Sequence, residues 1–253
     1  MIESTITGLI LGFVQGLTEF LPVSSSGHLI LARDIFNLGV SNGLFFDVML
    51  HLATGLAVVV YFRNDLKQMI FRPKENQTLW LAIILGTIPA MVFGLFFNEN
   101  LRDPYIVALA LIGGSILFFV AEKFATQDRM LTYGKGVGVG LFQALALIPG
   151  VSRSGATISG GLLLGMKRDE SAKFSFLLGL PVIFGASLLE GLRSIDVFMS
   201  GELSTGLVVG VVTSFVTGMV AVHYLLKFLK NNSLKIFAWY RIALALLILL
   251  YLV

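Results

Sequence analysis

The sequence predicts an all-α polytopic membrane protein, with six transmembrane helices and two re-entrant helical hairpins arranged as an inverted-topology internal repeat. Three observations lead there. Of 253 residues, 56% are hydrophobic and 13% charged, against roughly 25% charged in an ordinary soluble domain. Apolar runs able to cross a bilayer, which needs about 20 residues at helical rise, recur at 45–62, 79–98, 105–121, 174–192, 205–225 and 237–253. The chain also repeats itself at a shift of 128 residues.

Composition excludes several classes. Cysteine is absent, which removes disulfides, thiolate catalysis and Cys-ligated zinc. The opening MIESTITG carries an acid and no base, unlike the positive start of a secretory signal, so no cleaved leader is expected. The net charge is +3, but the basic residues fall in short loops between apolar runs, where membrane insertion puts them. Nucleic acid is therefore not an expected partner.

The repeat is seen by setting GFVQGLTEFLPVSSSG (12–27) over GLFQALALIPGVSRSG (140–155), where seven of sixteen positions coincide. The same shift lays AMV at 90–92 beside GMV at 218–220. A single membrane domain over 1–253 thus divides into repeat one at 1–125 and repeat two at 126–253, each a polar-tipped hairpin followed by three spans. In the first hairpin an apolar stretch from Ile6 to Leu21 stops at Pro22 and a Ser/Gly cluster, and a shorter stretch from His28 to Leu38 follows. Proline and glycine break the helix, and each arm falls short of a comfortable span. Broken backbone of this kind survives at membrane depth only inside protein or beside a water-filled cavity.

A hairpin that returns to its starting side leaves three crossings per repeat, and an odd number turns the second repeat upside down. Charge agrees with this arrangement. Loops 63–78, 122–136, 166–173 and 226–236 then share one face and hold thirteen Lys and Arg, whereas the other face holds Arg33, Arg102 and Arg193. The positive-inside rule makes the first face cytoplasmic, so one hairpin enters from each side and their tips can meet near the midplane.

The tips carry the chemistry. Each second half-helix begins at a serine cluster, a favoured N-cap, so two positive helix ends would point at a common centre suited to an anion. The second tip adds Arg153, a planar fork that suits phosphate and that is costly at this depth unless it faces a cavity and a partner. The first tip supplies Glu19, Ser24, Ser25, Ser26 and His28, with Gln15 one turn before Glu19 on the same face. Carboxylate, hydroxyls, imidazole and guanidinium together are the parts of a phosphoryl-transfer site.

QGLTEFLPVSSSGH and PGVSRSG resemble the two signature regions of the undecaprenyl-pyrophosphate phosphatase family, the bacitracin-resistance type of integral membrane phosphatase. The resemblance extends over essentially the whole chain. Gln15 takes the amide option of the (E/Q)xxxE motif, where other members carry a second glutamate. The resemblance implies hydrolysis of undecaprenyl pyrophosphate to undecaprenyl phosphate, dependence on a divalent metal (Mg²⁺ or Ca²⁺), and a multi-pass protein of the plasma (inner) membrane whose site opens to the extracytoplasmic side. Ser25 would be a candidate nucleophile, His28 a general base or the alternative nucleophile, and Glu19 a metal ligand or base. Arg153 would clamp phosphate oxygens. Gln15, Ser24, Ser26, Gly27, Ser152, Ser154 and Gly155 complete the expected substrate-binding set. The expected partners are a polyprenyl pyrophosphate, membrane lipid and a second copy of the chain as a homodimer.

Blander readings stand beside these. His28 could simply be tied to backbone, and Asp47 and His51 could pair on one helix face or support the site. Gly113, Gly114, Gly160 and Gly161 read as close-packing positions between helices. His223 reads as interfacial and Glu190 as an acid facing water at the end of its span. The rival function is a transporter or flippase of a polyprenyl phosphate or other anion, since inverted repeats with broken helices are common in secondary transporters.

Overall fold

A computed structural model of the chain describes residues 2–40, 43–94, 103–128, 130–195 and 204–251. Among these residues there are eleven helices and no strand. In chain order they are α1 (Ile2–Phe20), α2 (Ser25–Ile35), α3 (Gly43–Tyr61), α4 (Arg63–Phe71), α5 (Gln77–Gly94), α6 (Pro104–Phe124), α7 (Tyr133–Leu145), α8 (Arg153–Leu163), α9 (Arg168–Arg193), α10 (Thr205–Leu229) and α11 (Lys235–Tyr251).

Five of them, α3, α5, α6, α9 and α10, are long and apolar enough to cross a membrane. The sixth apolar run is α11, helical over its 17 described residues. The ends differ from expectation where polar residues cap or extend a run. α6 starts at a Pro preceded by Asp103, whose carboxylate accepts from the Tyr105 and Ile106 amides, an N-cap arrangement. α9 starts six residues before its apolar run because Asp169 and Glu170 favour a helix N-terminus. α4 falls in a stretch read from sequence only as a charged loop. It forms because Met69 is buried and its carbonyl accepts from Trp80 Nε1 at 2.9 Å.

The long arms of the two hairpins pack on glycine seams. Gly8 and Gly12 of α1 lie against Gly206 and Gly210 of α10, where a Cβ would overlap the opposing backbone. Gly136 and Gly140 of α7 meet Ala82 and Gly86 of α5 in the same way. Residues 8, 12 and 82 fall on 136, 140 and 210 under the 128-residue shift, as α2 falls on α8 at both ends. Small residues let backbones approach closely, which is how helices associate where lipid supplies no hydrophobic drive. Of the glycines read as close-packing, Gly114 abuts Arg241, Gly160 abuts Phe142 and Gly161 abuts Ser171, but nothing lies within 4 Å of a Cβ on Gly113.

α3 packs against α9 and α6 against α11, around a core that includes Phe20, Phe62, Phe118 and Phe176. At one end of the bundle four chain segments are laced together. Glu122 holds Arg168, with Nε at 3.1 Å, and accepts from the Leu234 amide at 2.7 Å, while Lys173 pairs with Asp65. These contacts join the four segments expected to share the basic face. Arg33 pairs with Asp47 and Arg193 with Glu190 at 3.9 Å, while Arg102 and Arg129 lie outside the described residues.

The seams make a direct prediction. Gly12→Val must push two backbones apart, and overpacking of this kind costs about 1–3 kcal/mol, so the thermal unfolding midpoint in detergent should fall. Gly113→Ala should leave that midpoint unchanged or raise it, because it fills open space and gains about 1 kcal/mol of helix propensity.

Candidate active site

The site starts from a helix that stops. α1 delivers Gln15 and Glu19 one turn apart, with Gln15 Nε2 donating to Glu19 Oε2 at 3.0 Å. At Pro22 the chain turns, and Ser24 adopts φ 74° and ψ 95° before α2 begins. The second hairpin reaches the same state at the repeat position, where Ser152 has φ 72° and ψ 114° before α8. A non-glycine residue in the left-handed region is uncommon and costs of order 1–3 kcal/mol. Both tips carry one. The hydroxyl pairs match as well: Ser24 and Ser26 are 3.3 Å apart, as are Ser152 and Ser154.

The two tips meet at Glu19. Arg153 Nη2 donates to Glu19 Oε1 at 2.7 Å, and Ser25 Oγ donates to Glu19 Oε2 at 2.8 Å. Ser154 Oγ donates to the Leu21 carbonyl at 3.3 Å, closing one tip on the other. Glu19 is buried, so its charge depends on these donors. Arg153 Nη1 is also buried and has no protein partner. A Cβ on Gly179 of α9 would strike this guanidinium, so the missing side chain is what leaves it room.

Around this pair lies a cavity of about 490 Å³. Its polar wall includes Glu19, Ser24, Ser25, Ser26, Ser152 and Arg153, and its apolar wall runs from Leu29 and Val48 to Pro149 and Val182. The shape suits a charged head with a greasy tail. Five expected residues do not line it. Gln15 and Ser154 act from behind, through Glu19 and the Leu21 carbonyl. Gly27 is buried near Val107, and Gly155 is wedged against Phe118 and Pro22. His28 is turned away: Nδ1 lies 2.8 Å from the Ser24 carbonyl, Nε2 lies 2.7 Å from the Tyr240 hydroxyl, and the two rings stack. The backbone-tied reading of His28 matches this geometry, and a base or nucleophile at that ring would need both bonds broken.

Two features were not legible from the motifs. His51 does not pair with the Asp47 side chain. Its Nδ1 lies 2.8 Å from the Asp47 carbonyl, which can only accept, so Nδ1 carries the proton. Nε2 then faces Glu19 Oε2 at 3.4 Å. The Asp47 carboxylate instead grips Arg33 with two bonds, at 2.8 and 2.5 Å.

The second feature is Arg241, fully buried in α11. Its Nη1 donates to the Val151 carbonyl at 2.9 Å and to Pro22 at 3.4 Å, and its Nη2 donates to Gly150 at 2.9 Å and to Leu111 at 3.2 Å. One guanidinium therefore ties both tips to α6 and α11. Among the described residues no carboxylate pairs with it. A lone arginine inside an apolar run was the available signal.

The chain matches a sequence-family model described as bacitracin resistance protein BacA over residues 8–247. The chain belongs to this family. That BacA match takes in every residue described above, from Gln15 to Arg241. A protein of Rubrobacter xylanophilus named undecaprenyl-diphosphatase is 42% identical over 95% of each chain. Proteins of the same name from Pseudomonas syringae and Pseudomonas aeruginosa are 39% and 42% identical, over 95% of this chain and 91% of their own. These relatives are thus of nearly the same length, and the similarity covers at least 91% of each chain.

Arg241 generates the prediction here. Arg241→Met strands the carbonyls of both tips, each buried unsatisfied group costing about 1–3 kcal/mol, so the thermal unfolding midpoint should drop sharply. Arg241→Lys should recover only part of it, because an ammonium has three donors against five.

Proposed function

We propose that this chain hydrolyses undecaprenyl pyrophosphate to undecaprenyl phosphate and inorganic phosphate, recycling the lipid carrier of cell-wall synthesis. The observation that carries this reading is a guanidinium, a carboxylate and a serine hydroxyl, Arg153, Glu19 and Ser25, bonded to one another in the wall of one cavity. The family and the names of its relatives point the same way.

The chemistry follows from the contacts. Arg153 keeps Nη2 on Glu19 and lines the cavity, where its guanidinium grips the terminal phosphate. Ser25 Oγ attacks that phosphorus while its proton passes to Glu19, 2.8 Å away. The bond to the bridging oxygen breaks, and undecaprenyl phosphate leaves as an anion that needs no proton. Water then attacks the phosphoserine and gives its proton to His51 Nε2, the bond from Ser25 Oγ to phosphorus breaks as Glu19 returns its proton to that oxygen, and inorganic phosphate departs. Ser25 is preferred over His28 as nucleophile because the cavity includes Ser25 and both His28 nitrogens are engaged elsewhere.

A divalent cation, Mg²⁺ or Ca²⁺, belongs to the proposal. The donor set fits a hard ion: the Glu19 carboxylate and Gln15 Oε1, which is buried without a partner, would hold it. Among the described residues no cluster of three His, Asp or Glu offers a full protein shell, so substrate oxygens would complete it. Bound there, it would neutralise charge on the phosphate.

In the same reading α1–α2 and α7–α8 are re-entrant hairpins, α11 is the sixth span, and the two repeats are inverted. The basic end faces the cytoplasm of a plasma (inner) membrane, and the cavity opens to the extracytoplasmic side. The matching left-handed serines, glycine seams and helix limits support the repeat.

Phosphate release from undecaprenyl pyrophosphate by detergent-solubilised protein tests the reaction. Arg153→Ala and Ser25→Ala should each lower kcat by at least about 10²-fold, the usual loss when a charge-stabilising or attacking group goes. His28→Ala should cost far less. Gly179→Ala should also slow turnover, by up to about 10²-fold, since displacing a positioned group by an ångström has that effect. Chelation should abolish release and added Mg²⁺ or Ca²⁺ restore it. Substrate movement across sealed vesicles without phosphate release would instead favour the transporter.

A further inference from the structure

A second cavity, of about 540 Å³, opens at the basic end of the bundle. It lies between Tyr61 at the end of α3 and the adjoining Phe62, the first turns of α9 (Asp169, Glu170 and Lys173), and the last turns of α10 (His223 and Lys227) with Lys230 just beyond them. It is separate from the first. Along α9 the wall of one cavity ends at Lys173 and that of the other begins at Val182, about 14 Å apart at helical rise. Buried Phe176, Leu177, Leu178 and Leu180 fill the interval.

Among the described residues, the charges in this cavity fall into one paired group and four unpaired ones, of which Glu170, Lys227 and Lys230 are exposed. Lys173 is committed, paired with Asp65 and set 5.9 Å over the Phe62 ring. Lys227 and Lys230 are not: among the described residues neither has a hydrogen bond or ion pair, and the same holds for Asp169 and Glu170. His223, Lys227 and Lys230 recur at helical spacing along one face of α10, with the two acids across the cavity on α9. Two cations and two anions thus share one cavity without touching. Asp169 and Glu170 gain something from the start of α9, but that does not explain cations set opposite at a distance. A ligand bearing both signs would engage all four.

The surroundings say what kind of ligand. Tyr224, next to His223, is 63% exposed, and Ile70 and Phe71 on α4, the helix that supplies Asp65, are 62% and 79% exposed. Large apolar side chains left bare beside a charged cavity at the end of a membrane bundle mark the lipid interface. Basic pockets between helices at this level bind the phosphates of anionic lipid head groups, and the two acids here add a demand for positive charge on the same ligand.

We propose that this cavity binds the head group of a zwitterionic aminophospholipid, its phosphate between Lys227 and Lys230 and its primary ammonium at Asp169 and Glu170. A primary ammonium brings three hydrogen-bond donors to the carboxylates. A trimethylammonium brings none, and a glycerol head group brings no charge. The cavity therefore selects phosphatidylethanolamine over phosphatidylcholine and phosphatidylglycerol.

The full chain, reconstituted in bilayers of equal parts of the three lipids and then extracted in mild detergent, reports the choice through the lipid it retains, read by native mass spectrometry. Phosphatidylethanolamine should be enriched about tenfold over each of the others, the effect of one charge-assisted hydrogen bond gained. The double variant D169N/E170Q should lose the preference over phosphatidylcholine, and K227Q/K230Q should lose retention of all three. Phosphate release should be unchanged in both, since none of these residues touches the first cavity; K227Q/K230Q should unfold at the midpoint of the parent chain, and D169N/E170Q slightly below it, because the start of α9 loses two acids. Glycerophosphoethanolamine, the same head group without acyl chains, should not displace the lipid at equal concentration. Retention of phosphatidylglycerol at or above phosphatidylethanolamine, enrichment that survives both double variants, or full displacement by the soluble ester would overturn the proposal.

Discussion

Glu19 and Arg153 stand 134 positions apart in the chain and 2.7 Å apart in space, both largely withdrawn from water, and neither could be there without the other. An unpaired charge at that depth costs several kcal/mol, and removing one member of such a pair leaves that cost standing. The pair therefore requires both helices to break at the same level, which is what Pro22 and the serine tips accomplish in one half and Gly150 and Ser152 in the other. It also requires space, which Gly179 supplies by having no side chain. The Glu19 carboxylate takes two donors on Oε2, from Gln15 and Ser25, and Arg153 on Oε1, which leaves Oε1 room for a further ligand. The pair and the serines of both tips form the polar wall of the cavity.

Holding two broken loops at one height is a backbone problem, and the answer is a second arginine. Arg241 spends its donors on main-chain carbonyls from both tips and from α6, so its charge is dispersed over dipoles and not matched to an acid. The ring of Phe118 lies 4.8 Å beneath it, adding a cation–π contact in a dry setting. Two arginines thus divide the labour: one faces the cavity, the other fastens the walls.

Much of this was legible in the sequence, and the limits are physical. The duplication showed because a 128-residue shift preserves glycines and serines whose backbone roles admit few substitutes. Glu19, Ser25 and Arg153 showed because charged and polar side chains withdrawn from water in an apolar chain are expensive unless they are paired. What escaped were contacts between segments distant in the chain. His51 sits in an ordinary apolar run, and only folding brings its Nε2 to Glu19. Arg241 has Gly113 as its repeat counterpart, so comparing the halves could not reveal it. His28 belonged to the motif but is held by Tyr240, 212 positions away. α4 looked like a charged loop because its stability comes from one buried methionine and a bond from Trp80.

The glycine seams bear on how such a chain is made. α1 lies along α10, and α7 along α5, so the long arm of each hairpin is covered by a helix from the other half. As the ribosome delivers the chain, α1 emerges nearly two hundred residues before the helix that covers it. Until then its glycine stripe and its carboxylate must wait exposed to lipid or sheltered by the insertion machinery. The halves are clasped like two hands with fingers crossed, and nascent protein cut off before α10 would have no finished first hairpin to protect.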